Sequence, residues 1–107
     1  MTGRTLAGRY HVQAKLGDGG MAVVYRGVDR VLGRPVALKI LRSELAGDRE
    51  LVERFRREAQ AAASLSHPNV VDIYDVGTDG DVHFLVLEYV QGENLRQVLR
   101  RTGPLPP

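Results

Sequence analysis

Cysteine is absent from this 107-residue chain, which excludes a disulfide framework and a thiolate metal site. No apolar run approaches the ~18 residues that a membrane-spanning helix requires. The opening MTGRTLAGRY lacks the apolar core of a secretory signal, so a soluble, cytoplasmic chain with no membrane segment is expected. Internal repeats, low-complexity tracts and linkers are also lacking. Charge of one sign is scarce: 15 Lys and Arg against 13 Asp and Glu leave +2, too little to argue for nucleic acid despite a pI near 9.3. Arginines do cluster at Arg54, Arg56 and Arg57 and at Arg96, Arg100 and Arg101. Acids interleave the first group, and neither group brings the aromatics on which bases stack. What is present is globular in balance, 43% hydrophobic and 26% charged, and of a length for one domain.

Period 2 dominates the first part of the chain. Tyr10, Val12, Ala14 and Leu16 alternate with Arg9, His11, Gln13 and Lys15, which predicts a half-buried strand over 9–16. The β-branched segment 22–28 and the segment 34–41 predict two more strands. The period then lengthens. From Asp48 to about Leu65, Leu51, Phe55, Ala62 and Leu65 recur at helical spacing, with Asp48 placed to cap the helix and Glu50 in its first turn. Pro68 discourages continuation. Residues 70–77 and 81–90 predict strands around a turn at 78–81, the second apolar on both faces and therefore central. A short helix over 92–101 and the turn-rich TGPLPP follow. The order β-β-β-α-β-β-α describes an α+β architecture.

The stretch LGDGGMAVVY, residues 16–25, sets three glycines between two strands. Glycine loops approach phosphates because backbone N–H groups, unshielded by side chains, point at oxygens. No lysine follows as a Walker loop requires. Gly17, Gly19 and Ala22 match the dinucleotide fingerprint, but a strand follows instead of a helix, and position 39 is Lys instead of an acid. Gly17, Gly19 and Val24 also match the glycine hairpin G-x-G-x-x-G-x-V that covers ATP, with Ala22 at the third glycine position. A plain hairpin turn uses glycines too.

Segment 34–41 adds a second signal. Ala37, Lys39 and Leu41 share one face, and Val36, Leu38 and Ile40 the other. Lys39 is either a lysine snorkelling to solvent or a cation aimed at phosphates. Glu58 falls three after Phe55 and four before Ala62, on the apolar helix stripe. A carboxylate there needs a partner. A surface pair with Arg54 is one candidate; Lys39, the only lysine after Lys15, is the favoured one.

With LGDGGMAVVY, VALK, FRREAQAAASLSHPNVV and FLVLEYVQGENL in this order and spacing, the chain resembles the amino-terminal lobe of bacterial serine/threonine protein kinases of the eukaryotic-like type. The resemblance covers the chain from Arg9. It implies a five-stranded antiparallel sheet with one main helix packed on it. Residues 1–8 would be an N-terminal tail, and 9–107 an incomplete kinase domain: the lobe, the hinge and the first helix of the second lobe. ATP is the implied ligand. Gly17, Gly19 and Gly20 would arch over its phosphates, and Leu16, Val24 and Ala37 would enclose the adenine. Lys39, held by Glu58, would contact the α- and β-phosphates. Leu87 would be the gatekeeper, and the backbone of Glu88 and Val90 would bond the adenine edge.

The family keeps its catalytic base and Mg²⁺ ligands in H-R-D and D-F-G motifs, neither of which occurs here. Asp72, Asp75 and Asp79 lack metal-ligand spacing, so no metal site is expected, and Mg²⁺ only in a complete kinase. The 107 residues alone are expected to be inactive, with the sheet underside left as an apolar patch. The alternative is a non-catalytic dimerisation or partner-docking module. By the resemblance Arg9, Leu32 and Asp75 lie on a back face through which such kinases pair; ordinary solvated surface is the competing reading.

Overall fold

Glycines at a turn and β-branched residues beyond it make the hairpin of residues 10–29. The structure, a computed structural model, describes residues 1–64 and 73–89, the side chains of Glu58 and of 60–64 excepted. Strand β1 spans Thr5–Leu6, β2 Tyr10–Gly19, β3 Ala22–Asp29 and β4 Arg34–Leu41. Helix α1, Arg49–Ser64, follows, then β5, Ile73–Asp79, and β6, Val82–Glu88. The strands form one antiparallel sheet in the order β1-β2-β3-β4-β6-β5. The expected helix over 92–101 and the segment 65–72 lie outside the described residues. No helix among the described residues is long and apolar enough to cross a membrane.

Central position follows from apolarity on both faces. β4 lies between β3 and β6. Val36, Leu38 and Ile40 join Phe84 and Val86 in an outer layer with Leu6, Tyr10 and Val12. Ala37 and Leu41 join Met21, Ala22, Val24, Leu85 and Leu87 in an inner layer. Helix α1 covers that inner layer through Phe55 and Ala59. Its start is capped as expected: the amides of Glu50 and Leu51 donate to Asp48 Oδ1 at 3.0 and 3.3 Å.

Strand β2 departs from simple alternation. The pairing with β3 slips between Val12 and Ala14 and again between Lys15 and Gly17. A bulge breaks the period-2 rule, so Tyr10 and Val12 pack in the outer layer while Leu16 packs against the inner one. The single face expected for Tyr10, Val12, Ala14 and Leu16 is thus divided. Gly27 sits opposite the first bulge, where a Cβ would meet the His11 carbonyl oxygen at 2.5 Å.

The sheet has six strands, one more than the five expected, because residues 1–8 are not a free tail. Leu6 is fully buried, and β1 pairs with β2. A two-residue strand carries too little periodicity to be read from sequence. This segment also draws together the two edges of the sheet. The Ala7 amide donates to Asp79 Oδ2 at 2.7 Å, Arg4 lies 3.8 Å from the same carboxylate, and the Tyr10 hydroxyl donates to Asp75 at 2.7 Å. The sheet is therefore curled, with β5 clasped to the amino-terminal edge.

Leu6→Ala should lower stability by about 2–5 kcal/mol, the cost of emptying a buried leucine site, measured by urea unfolding. An unchanged midpoint would show that residues 1–8 contribute nothing to the closure.

Candidate functional site

The glycine hairpin turns on two residues. Gly19 pairs with Ala22, leaving Gly20 and Met21 as the loop. Gly20 has φ +70°, and Met21 does not share the positive φ. This matches a II′ turn, whose first loop position requires glycine. Met21 tucks into the inner layer at 8% exposure, and Ala22 is fully buried.

Beside the hairpin lies the lysine. Lys39 stands opposite Val24 on β3 and Leu85 on β6, and it is 1% exposed. It is not a snorkelling surface lysine. Alternation along β4 sets it on the face of Ala37 and Leu41, both inner-layer residues. Ala37 in turn pairs with Leu87. The structure thus brings Leu16, Val24, Ala37, Lys39 and Leu87 to one layer, next to the loop of Gly17, Gly19 and Gly20.

Two expected partners are only partly in view. Glu58 occupies a position on α1 beside buried Phe55 and Ala59, but its side chain lies outside the described residues. Glu88 ends β6, and Val90 also lies outside them.

The apolar underside is not bare. Val24, Ala37 and Leu87 are 0–1% exposed, and the exposed large hydrophobics among the described residues are Met1, Val31 and Leu32. Packing of α1 and Met21 on the inner layer explains the difference from expectation. No cluster of potential metal ligands occurs among the described residues.

Asp29 organises the back of the sheet, and the sequence reading passed it over. It is 1% exposed. Arg9 donates to it through Nε and Nη2, both at 2.9 Å, and the Val31 and Leu32 amides donate to Oδ1 at 2.9 and 3.2 Å. The Arg9 bonds hold its carboxyl down at about 2, against the opposing effect of burial, with the backbone amides helping. Arg9 is raised in turn, chiefly by its bond to Asp29. Its guanidinium also lies 5.2 Å from the centre of the Tyr10 ring. Burial, then the bond to Asp75, push Tyr10 up to about 12, so its hydroxyl stays a donor. Arg9, Leu32 and Asp75 are therefore linked through Asp29 and Tyr10. Arg9 is bridged within its own chain to Asp29. An aspartate at a strand end before a glycine turn, D-R-V-L-G, was the available signal.

Residues 10–107 match the protein kinase domain. The chain is 49% identical to the serine/threonine-protein kinase PrkC of Bacillus subtilis over 107 residues, all of this chain and 16% of that protein. It is 50% identical to PknL of Mycobacterium tuberculosis over 102 residues, 95% of this chain and 26% of that one. The crystal structure of the Mycobacterium tuberculosis PknI kinase domain superposes with a TM-score of 0.69 at 33% identity, covering 94% of this chain and 40% of that one. The chain thus spans well under half the length of these relatives.

Asp29→Ala strips Arg9 and two amides of their acceptor and should cost about 2 kcal/mol at neutral pH. The wild-type contribution comes from a carboxyl whose folded value, about 2, lies below its ordinary 3.8. It is complete above pH 3.8 and lost as pH falls through about 2. Urea unfolding between pH 7 and pH 2 should show the gap between wild type and Asp29→Ala closing on acidification. A gap independent of pH would contradict this account.

Proposed function

The chain belongs to the protein kinase family and is an amino-terminal part of a bacterial serine/threonine kinase; from that premise we propose that it forms the ATP-binding lobe of an enzyme that phosphorylates protein serine and threonine hydroxyls. One observation carries this reading: a buried lysine standing opposite Val24, on the strand that leads out of a glycine hairpin. A buried ammonium, backbone amides and an apolar layer form a donor set that suits a nucleotide triphosphate.

In this reading the amides of Gly17, Gly19 and Gly20 meet the phosphates, and Lys39 neutralises the α- and β-phosphates. Glu58 holds Lys39 in place. Leu16, Val24 and Ala37 contact the adenine, Leu87 limits the depth of its slot, and the backbone of Glu88 and Val90 bonds its edge. Because Val24, Ala37 and Leu87 are 0–1% exposed, a base enters only where their cover draws aside, and affinity is correspondingly weak. The family implies ATP with Mg²⁺ as the phosphoryl donor, which favours the cytoplasm as the place of work. The motifs that carry the base and the Mg²⁺ ligands do not occur in these 107 residues. The 107-residue polypeptide by itself therefore transfers no phosphate.

A second reading is favoured by the back of the sheet. Val31 and Leu32 are 67% and 56% exposed, next to the Arg9–Asp29 pair and within the network that reaches Asp75. An apolar tip ringed by charge suits pairing of two copies through this face.

Nucleotide binding by titration calorimetry should be measurable for the wild type and reduced about tenfold or more in Lys39→Met, the loss of a charged phosphate contact. Equal affinities would remove Lys39 from the site. Incubation with Mg²⁺, ATP and a generic protein substrate should give no turnover, and robust phosphorylation would overturn the claim of inactivity. Light scattering should report a dimer for the wild type and a monomer for Leu32→Asp; equal monomer masses would dismiss the pairing.

A further inference from the structure

Beyond the last ladder pair, Gly19 with Ala22, the hairpin tip has no further pairing between its own two strands. Met21 anchors it from the inner side. On the opposite side three charged groups converge. The Arg42 Nε donates to the Gly20 carbonyl oxygen at 2.6 Å, and its Nη2 donates to Asp18 Oδ1 at 2.8 Å. The Arg42 amide donates to the Met21 carbonyl at 2.9 Å. Lys15 Nζ lies 3.1 Å from the other oxygen of Asp18. Glu44 is a more distant neighbour of Arg42, at 3.8 Å.

The side on which these groups meet matters. Asp18 pairs with Val23 and Lys15 with Tyr25, while Gly17 pairs with Val24. Val24 belongs to the inner layer, and Tyr25 packs against the outer one. Across a ladder, paired residues share a face. Lys15 and Asp18 therefore face outward, away from Lys39. An aspartate inside a loop meant for phosphates would otherwise repel them; here its charge is turned outward and neutralised by two cations. Its carboxyl is held below the ordinary range, chiefly by the bond to Lys15 and then by Arg42.

We propose that Arg42 is a positioning residue that braces the glycine hairpin, fixing Gly20 through its carbonyl and keeping the Asp18 carboxylate on the outer side. The inference rests on the reading of the hairpin as a phosphate lid. Arg42 does not touch the nucleotide; it acts through the backbone of the turn. A stiff turn presents its amides without a further loss of conformational freedom on binding. The brace is exposed, with Asp18 at 47% and Arg42 at 30%, so salt weakens it. Lysine at position 42 keeps the charge but lacks the planar fork that reaches a carbonyl and a carboxylate together.

Hydrogen exchange of the nucleotide-free chain tests the brace directly. Arg42→Ala should speed exchange of the amides of residues 19–22 by about threefold to tenfold, the range for a charge-assisted bond on a surface. Protection along β4 and β6 should be unchanged. Arg42→Lys should recover part of the loss, and high salt should bring the wild type toward the alanine variant. Equal exchange at 19–22 in wild type and Arg42→Ala overturns the brace, as does a loss spread evenly over the sheet. Calorimetry with Mg-ATP then tests the coupling: affinity should fall about threefold or more in Arg42→Ala, in step with the exchange. Altered exchange with no change in affinity overturns Arg42 as a positioning residue. If the wild type binds no nucleotide, the lid reading falls, while the exchange result still decides the brace.

Discussion

An ammonium group buried in an apolar layer is the constraint on which this structure turns. Lys39 sits at 1% exposure on β4, a strand flanked by neighbours on both sides and covered on both faces. A cation so placed costs several kcal/mol unless anions compensate it. In the proposed function that charge meets the phosphates of a nucleotide beneath the glycine hairpin beside it. The inner layer holds the lysine, and helix α1 packs on that layer through Phe55 and Ala59.

The two faces of the sheet divide the work. The inner face carries apolar contacts and the buried cation. The outer face carries the closure: Leu6, Tyr10 and Phe84 fill it, with the Tyr10 and Phe84 rings meeting edge to face at 5.9 Å. Carboxylates at the rim add to this: Asp75 to Tyr10 and Asp79 to Arg4 and Ala7 tie β5 to the amino-terminal edge, while Asp29 holds Arg9 across the paired ends of β2 and β3. Asp18 does the same for the hairpin through Arg42. The Asp75 and Asp79 bonds have long-range effect, because they join sheet edges that backbone pairing leaves open.

What could be read from the sequence was whatever follows from spacing within one element. The division of β4 into two apolar faces, the capping of α1 by Asp48 and the central place of β6 are of this kind, and all appear in the structure. The bulges in β2 were hidden because a bulge is a relation between two strands, visible only once both are paired. The role of residues 1–8 was hidden because one buried leucine in a polar segment sets no period. Asp29 and Arg42 were missed for a related reason: each is defined by partners about 20 residues away, Arg9 for the first and Asp18 and Gly20 for the second. Of the site, Lys39 and the hairpin were legible through alternation and glycine content. The family resemblance supplied the roles of Leu16, Val24, Ala37 and Leu87, which the fold brings to one layer.

The central claim is that the inner layer and the glycine hairpin together receive a nucleotide. Its most direct test is an amide chemical-shift map of the 107-residue chain titrated with ATP. The account predicts shifts centred on Gly17, Gly20, Val24, Ala37, Lys39 and Leu87, with the outer-layer amides of Tyr10, Val12 and Val86 little changed. Shifts confined to the outer layer, or none at saturating ATP, would contradict it.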